Sequence, residues 1–88
     1  MIVAFTSIAL EQYQYWGEND KKIFKKINTL ITNTKRTHFV GLGNPEPLKG
    51  ILKGYWSRRI TQEHRLVYKI SGTDKEQVLT IVQCRYHY

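Results

Sequence analysis

The chain has 88 residues, a formal net charge of +7 and a single cysteine, which limits it to one small basic domain, residues 1–88, without an intrachain disulfide. A chain this short forms one core but no enclosed, many-walled cofactor cavity, so any chemistry is expected on an open surface or groove. Its three histidines stand at positions 38, 64 and 87 with no metal-ligand spacing, so neither a metal nor another cofactor is expected.

The first 20 residues predict a strand followed by a helix. Residues 2–5 are apolar and end at Thr6 and Ser7, whose side-chain oxygens suit the N-cap of a helix over about 7–18. The apolar stripe of this helix is loose and consists of Ile8 and Tyr15, with contributions from Leu10 and Tyr13.

A second helix is predicted more clearly. Asp20 is a suitable N-cap, and the residues after it are apolar at the helical spacing along one face, namely Ile23, Phe24, Ile27, Leu30 and Ile31. Only a few residues around Asn19 connect the two helices, so they are expected to form a nearly antiparallel hairpin. Their apolar faces then need another layer to cover them.

The second half of the chain predicts a loop and three strands. Residues 34–53 contain three glycines and two prolines, which is typical of a long loop. Residues 55–60, 64–70 and 78–88 have strand-like patterns with short links between them, which predicts an antiparallel meander. The expected fold is α+β, in the order β-α-α-β-β-β, with the helical hairpin on one face of a mainly antiparallel sheet.

Alternation along the three strands assigns residues to the two faces of the sheet. The face toward the helices is expected to carry Trp56, Ile60, Leu66, Tyr68, Ile70, Val78, Val82, Cys84 and Tyr86. The opposite face is expected to carry Arg59, Arg65, Lys69, Arg85 and His87. So many cations on one face would repel one another, which favours a binding site for phosphate.

Positive charge is concentrated in the middle of the chain. Residues 21–69 carry twelve Lys and Arg against Glu46 and Glu63, a net charge of +10, whereas residues 1–20 carry a net charge of −3. Aromatic residues lie among these cations, and the combination suits a polyanion with exposed bases, that is, nucleic acid. An acidic protein partner and a basic surface kept for solubility remain alternatives.

Two residues could carry acid-base chemistry on RNA. Glu46 is the only acid in the long loop and lies between Pro45 and Pro47, which restrict its backbone. His87 follows the alternation of the basic face. RNA cleavage without a metal needs a base for the 2′-hydroxyl, an acid for the leaving 5′-oxygen and cations at the phosphate. His38 and His64 are interpreted as loop and strand residues without a role, and Cys84 as a small core residue.

The N-terminal stretch predicts no export or membrane insertion. It lacks a basic region and a small-residue cleavage site, and no apolar run in the chain approaches the roughly 20 residues that span a bilayer. A cytoplasmic protein without membrane contact is therefore expected.

Four segments carry motifs that are specific in combination: YQYWGENDKKIFKKIN, GNPEPLKG, GYWSRRITQEHRLVYKI and the terminal CRYHY. With them, nearly the whole chain resembles the YoeB toxins, a branch of the RelE-like toxins of bacterial type II toxin-antitoxin systems. The resemblance implies a RelE-like fold and a ribosome-dependent endoribonuclease that cuts mRNA in the A site and inhibits translation. Phe5 departs from the family pattern, which has Trp there, so the packing of the first strand is not carried over.

The resemblance also assigns roles to individual residues. It implies that Glu46 is the general base, His87 the general acid and Arg65 the group that stabilises the pentacoordinate phosphate. Tyr88 with its terminal carboxylate would complete the site. The expected RNA contacts are Lys49, Lys53, Arg58 and Arg59. The products would be a 2′,3′-cyclic phosphate or 3′-phosphate and a 5′-hydroxyl.

The partners that the resemblance implies are a YefM-like antitoxin and the 70S ribosome with its mRNA. Promoter DNA would be bound indirectly, through the antitoxin, and a homodimer is a further candidate. Two other functions share parts of the pattern: a gyrase-inhibiting toxin of the same fold, and a basic nucleic-acid-binding module. Neither would need a base and an acid placed around one phosphate.

Overall fold

The elements of the chain follow the predicted order, with one short strand added. The computed structural model describes residues 1–87, and its elements are β1 (Ile2–Phe5), α1 (Ser7–Asn19), α2 (Lys21–Arg36), β2 (Glu46–Pro47), a 3₁₀ turn (Gly50–Leu52), β3 (Trp56–Arg59), β4 (Arg65–Ser71) and β5 (Val78–Gln83). The two helices pack against one mixed sheet, so the predicted α+β class is confirmed. Strand β2 lies inside the segment predicted as a loop. Neither helix is long and apolar enough to cross a membrane.

The sheet has five strands in the order β1-β5-β4-β3-β2. Strand β1 pairs with β5 in parallel, and the helical hairpin carries the chain from β1 at one edge of the sheet toward β2 at the other edge. The predicted meander of β3, β4 and β5 is antiparallel. Strand β2 joins the open edge of β3, and this brings the proline-flanked Glu46 into the sheet.

Both predicted helix caps are present, and α2 buries the predicted stripe. The Thr6 hydroxyl accepts a hydrogen bond from the Ala9 amide at 3.2 Å, and the Asp20 carboxylate accepts from the amides of Lys22 and Ile23 at 3.1 Å. The inner face of α2 carries the predicted residues Ile27, Leu30 and Ile31, followed by Thr34. The helix continues to Arg36, beyond the predicted start of the loop.

The predicted stripe of α1 is confirmed at Tyr13, which packs against the core, but its other positions are wrong by one residue. Ile8 is 63% exposed, whereas Ala9 and Trp16 are buried. The inner face follows the spacing i, i+3, i+4 and i+7 from Ala9 through Gln12 and Tyr13 to Trp16. A small residue and a polar residue occupy half of this stripe, which hides its period in the sequence.

The predicted faces of β5 are corrected by a β-bulge. Tyr68 pairs with Ile81 but Val67 pairs with Gln83, so Val82 is an extra residue on β5. The helices are therefore contacted by Leu79 and Ile81 before the bulge and by Cys84 after it, in place of the predicted Val78 and Val82. The predicted core role of Cys84 is confirmed, since the residue is fully buried and burial raises the pKa of its thiol to about 12.

A fully buried arginine joins the second helix to the sheet. Arg58 has no exposed surface, and its Nη1 donates to Asn33 Oδ1 at 2.6 Å and to the Leu42 carbonyl at 3.1 Å. Its Nη2 donates to the carbonyls of Thr37 and Val40. The guanidinium thus binds the C-terminal end of α2, where the helix dipole is negative, and the loop that follows.

The remaining donor of Arg58 ties it to the centre of the sheet. Its Nε donates to the Tyr68 hydroxyl at 3.2 Å, and this hydroxyl donates to the His38 carbonyl at 2.6 Å. Burial raises the pKa of the Tyr68 phenol while Arg58 acts in the opposite direction. The phenol therefore stays protonated and keeps its donor at neutral pH.

We expect Arg58→Lys to lower the free energy of unfolding by roughly 3–5 kcal/mol, because one ammonium group cannot serve acceptors arranged for a planar fork and several buried carbonyls lose their donor. Urea denaturation measures the loss. Arg59→Lys is the matched control, since Arg59 is exposed and a surface substitution changes stability by about 0.5 kcal/mol or less. Similar unfolding midpoints for the two variants would contradict the role given to Arg58.

Candidate active site

Most of the predicted catalytic residues line one small pocket on the sheet face that points away from the helices. The pocket has a volume of about 220 Å³. It is lined by Glu46, Arg59, Arg65 and His87, together with Asn44 and Ser57. Residues from the beginning, middle and end of the second half of the chain therefore meet at one place.

Glu46 is held at the pocket by an edge strand and a turn. It pairs with Ser57 of β3, and the next contact along this edge is the hydrogen bond from the Leu48 amide to the Tyr55 carbonyl at 2.9 Å. Asn44 adopts a left-handed conformation with φ 53° and donates from Nδ2 to Glu46 Oε1 at 3.3 Å. The hydrogen bond from Asn44 thus orients one oxygen of the Glu46 carboxylate, while the Glu46 side chain as a whole stays exposed to solvent.

Two arginines lie directly opposite each other beside this carboxylate. Arg59 at the end of β3 pairs with Arg65 at the start of β4, and like charges in this position repel each other across the strands. The Arg65 Nη1 donates to the carbonyls of Thr61, Gln62 and His64 at 2.8–3.1 Å, which holds its guanidinium in place. A bound anion between the arginines would relieve their repulsion, so the pair suits an anionic group.

The segment after β5 is fastened to the first helix. The Cys84 amide donates to Gln12 Oε1 at 2.8 Å, and the Cys84 carbonyl accepts from Trp16 Nε1 at 2.8 Å. Arg85 then lies 3.6 Å from the centre of the Tyr15 ring. Arg85 therefore packs against α1, and its predicted position on the open basic face is wrong.

The last described residues turn back to the start of β4. Tyr86 adopts φ 69°, its amide donates to His64 Nδ1 at 2.7 Å, and its carbonyl accepts from the Arg65 amide at 3.1 Å. The Tyr86 ring is 54% exposed, so the predicted burial of this ring against the helices is wrong. The turn brings His87 to the pocket next to Arg65.

His64 has a structural role that the sequence did not indicate. Its side chain is buried, with the ring centre 4.8 Å from that of Trp16. Because Nδ1 accepts a hydrogen bond, the ring proton lies on Nε2, and Nε2 is 3.7 Å from Glu63 Oε1. His64 therefore connects the terminal segment with α1, and its interpretation as a residue without a role is corrected.

The other predicted RNA contacts lie outside the pocket. Lys49 and Lys53 are exposed on either side of the 3₁₀ turn. The prediction that Arg58 contacts phosphate is corrected, because its side chain is fully buried and its donors are bound to protein oxygens. Tyr88 lies outside the described residues.

The structure adds two residues to the pocket that sequence reasoning missed. Ser57 could have been found, because it alternates with Arg59 along β3 and shares its face. Asn44 gave no such signal, since its contact with Glu46 depends on the left-handed turn. Among residues 1–87, no group of three or more His, Cys, Asp or Glu side chains is placed to hold a metal ion.

Comparisons with a family model, with relatives and with solved structures all point to the same protein family. Residues 5–88 match the family model of the YoeB-like toxin of bacterial type II toxin-antitoxin systems. The toxin YoeB of Streptomyces coelicolor is 56% identical over 88 residues, covering all of both chains. A YoeB/ParE toxin structure from Agrobacterium tumefaciens is 52% identical with a TM-score of 0.96, again over all of both chains.

YoeB from Staphylococcus aureus has been solved in two assemblies. One is a YoeB dimer, 44% identical with a TM-score of 0.89, and the other is a heterotetrameric YoeB-YefM toxin-antitoxin complex, 45% identical with a TM-score of 0.88. Both comparisons cover all of this chain and 98% of the solved chain. The fold of the present chain is therefore that of its solved relatives.

We expect His64→Ala to release the terminal segment while the sheet stays folded. The variant leaves the Tyr86 amide without its acceptor and should lower the free energy of unfolding by about 1–3 kcal/mol. Hydrogen exchange of the Tyr86 amide measures the release directly. His64→Asn retains an acceptor oxygen near the position of Nδ1, so it should recover part of the protection.

The control for this experiment is His38→Ala. His38 lies at the other end of the sheet, where its Nδ1 is 2.7 Å from the Thr34 carbonyl. Its substitution should leave the Tyr86 amide as protected as in the wild type. Unchanged exchange of that amide in His64→Ala would contradict the connection described here.

Proposed function

We infer the function of this chain from one premise: it belongs to the YoeB-like toxins of bacterial type II toxin-antitoxin systems. We propose that it is a ribosome-dependent endoribonuclease of the cytoplasm that cuts mRNA in the A site by acid-base catalysis and thereby inhibits translation. The observation that carries the proposal is the pocket in which a carboxylate, an imidazole and two guanidinium groups meet.

In the proposed reaction, a phosphodiester of the mRNA lies in the pocket. Glu46 removes the proton of the 2′-hydroxyl, and the 2′-oxygen attacks phosphorus while the bond to the 5′-oxygen breaks. His87 donates a proton to that leaving oxygen. The products are a 2′,3′-cyclic phosphate, which water can open to a 3′-phosphate, and a 5′-hydroxyl end.

The arginines supply electrostatic stabilisation in this scheme. Negative charge on the phosphate oxygens grows as the pentacoordinate state forms, and fixed cations stabilise that state more than the ground state. Arg65 is the better placed of the two, since its guanidinium is already held by three carbonyl groups. Arg59 relieves its repulsion with Arg65 only when an anion lies between them.

Four further residues have supporting roles in the proposal. Lys49 and Lys53 flank the exposed 3₁₀ turn and would contact RNA phosphates away from the reacting one. Tyr88 and its carboxylate would act beside His87, as the resemblance implies. Ser57, which pairs with Glu46, would orient the base.

The proposed partners follow from the relatives. Staphylococcus aureus YoeB forms a complex with YefM and has also been solved as a dimer, so we propose a YefM-like antitoxin and a homodimer for this chain. An acidic antitoxin segment would complement the +10 of residues 21–69. Promoter DNA would be bound through the antitoxin.

Primer extension on 70S ribosomes programmed with a defined mRNA tests the proposed activity. The wild-type protein should create new ends at the codon in the A site. Glu46→Gln and His87→Gln should each cleave roughly 10²- to 10⁴-fold more slowly, because each removes one proton-transfer group. Both variants should still bind the ribosome.

Two substitutions of the same kind outside the pocket serve as controls. Glu76 lies in the exposed link before β5, and His38 lies in the loop after α2. The Glu76→Gln and His38→Gln variants should both cleave at the wild-type rate. Equal losses in all four variants would mean that the site is misplaced. Trapped gyrase-DNA complexes without mRNA cleavage would favour the gyrase-inhibiting function, and RNA binding without either activity would favour a binding module.

Cleavage should need no metal ion held by the toxin. Among residues 1–87, Glu46 is the only carboxylate that lines the pocket, and one carboxylate does not hold two metal ions in the way of a two-metal nuclease. Toxin treated with a chelator, separated from it and returned to untreated ribosomes should cleave at its original rate. Activity that depends on adding a divalent ion back to the toxin would contradict this.

A neutralising antitoxin is expected to close the pocket or displace the terminal segment. The rate at which diethyl pyrocarbonate modifies His87, read by peptide mass spectrometry, should change when the antitoxin is bound: it should fall if the pocket is closed and rise if the terminal segment is displaced. A neutralised complex in which His87 reacts as fast as in the free toxin would contradict this mechanism of inhibition.

A further inference from the structure

A second, larger cleft continues from the catalytic pocket toward the helices. Its volume is about 690 Å³, and its walls come from α2, the loop before β2 and the link between β3 and β4. Arg59 and Arg65 line both this cleft and the 220 Å³ pocket. The two spaces are therefore adjacent, with the paired arginines at their boundary.

The described residues that line the cleft carry positive charge only. They include Lys26, which lies exposed on α2, besides Arg59 and Arg65, and none of them is acidic. The nearest acid along the chain, Glu63, has its carboxylate beside the His64 ring, at 3.7 Å. An anion in the cleft would be attracted by three cations at once.

The walls of the cleft are fixed before any ligand arrives. Gly43 adopts φ 79°, and a Cβ there would lie 3.0 Å from the Arg59 carbonyl oxygen and from side-chain atoms of Leu30 and Arg58. The backbone at Gly43 is held in place by a hydrogen bond that the Arg59 amide donates to the Gly43 carbonyl at 2.7 Å. On the other wall, the Thr61 and Gln62 carbonyls hold Arg65.

We propose that this cleft, which we call the Lys26 cleft, binds the mRNA phosphate next to the one that is cut. The inference rests on the proposed function. An RNA strand that passes through the pocket must leave it on both sides, and the Lys26 cleft is a basic space that begins where the pocket ends. Lys26 then contacts a non-reacting phosphate and positions the strand in the pocket.

The first test compares Lys26→Ala with Lys25→Ala. Both lysines are exposed on α2 and one residue apart, but Lys25 lines a different cleft that does not include Lys26. Both variants should keep the wild-type circular dichroism spectrum, since alanine is a strong helix former. Lys26→Ala should raise the concentration for half-maximal cleavage roughly 3- to 10-fold with kcat retained, whereas Lys25→Ala should match the wild type.

The second test identifies the phosphate. Ribosomes are programmed with mRNAs in which one phosphate, on the 5′ or the 3′ side of the scissile one, is a neutral methylphosphonate. On one of the two sides, the methylphosphonate should raise the concentration for half-maximal cleavage by the wild type and by Lys25→Ala. The increase should be as large as the one that the Lys26→Ala substitution causes on natural mRNA. Lys26→Ala itself should be insensitive to it, because the lysine and the phosphate charge act as one pair.

Three outcomes would overturn the inference. The first is equal behaviour of the Lys26→Ala and Lys25→Ala variants with every mRNA. The second is full additivity: the Lys26→Ala substitution and either methylphosphonate would each weaken cleavage by the same factor whether or not the other is present. This would mean that the lysine and that phosphate are not in contact. The third is weaker antitoxin binding by Lys26→Ala with unchanged RNA cleavage, which would make the cleft a site for an acidic protein segment. If the wild type cuts no mRNA on ribosomes, the proposed function fails and the inference fails with it; if it cuts, these outcomes concern the cleft alone.

Discussion

The interaction on which the structure most depends is the buried guanidinium of Arg58. Its partners are oxygens of α2, of the following loop and of β4, and none of them is a carboxylate. Burying a cation without a counter-ion is tolerated only when hydrogen bonds replace its hydration. The oxygens that do so fix the path of the loop from Thr37 to Leu42.

The candidate active site is a consequence of this arrangement. Because the loop is held to Arg58, the chain reaches the edge of β3 in a fixed position, and Glu46 enters the sheet opposite Ser57. Neighbouring residues of a strand point to opposite faces of the sheet. Because the Arg58 side chain points toward the helices, the Arg59 side chain points away from them and lies next to Arg65. The terminal segment is fastened separately through Trp16 and His64, and it adds His87 from the other side.

The sequence predicted those parts of the fold that depend on local periodicity and caps. The α2 stripe, the Asp20 cap and the three-strand meander are examples, because each is encoded within a few neighbouring residues. Residue chemistry and strand alternation indicated Glu46 and His87 as candidates, and the family resemblance assigned the individual roles; the structure brings both residues to one pocket with Arg59 and Arg65.

The errors have a common physical origin in contacts between distant residues. The bulge at Val82 shifts the alternation of β5, and it is visible only in the pairing with β4. Arg58 alternates with Trp56 and Ile60, which places it on the helix face, but the oxygens that allow its guanidinium to be buried there belong to α2 and the loop after it, far away in the sequence. His64 and Tyr86 are 22 residues apart, so nothing near either residue indicates their hydrogen bond.

In the proposed mechanism, Glu46 and His87 act as base and acid on opposite sides of one phosphate. The most direct test uses an mRNA whose scissile 5′-oxygen is replaced by sulfur, because a thiolate is a weak base and leaves without protonation. Single-turnover cleavage on ribosomes should then be nearly as fast for His87→Gln as for the wild type, while Glu46→Gln stays slow. A His87→Gln variant that remains as slow on the sulfur substrate as on the natural mRNA would contradict the assignment of His87 as the acid.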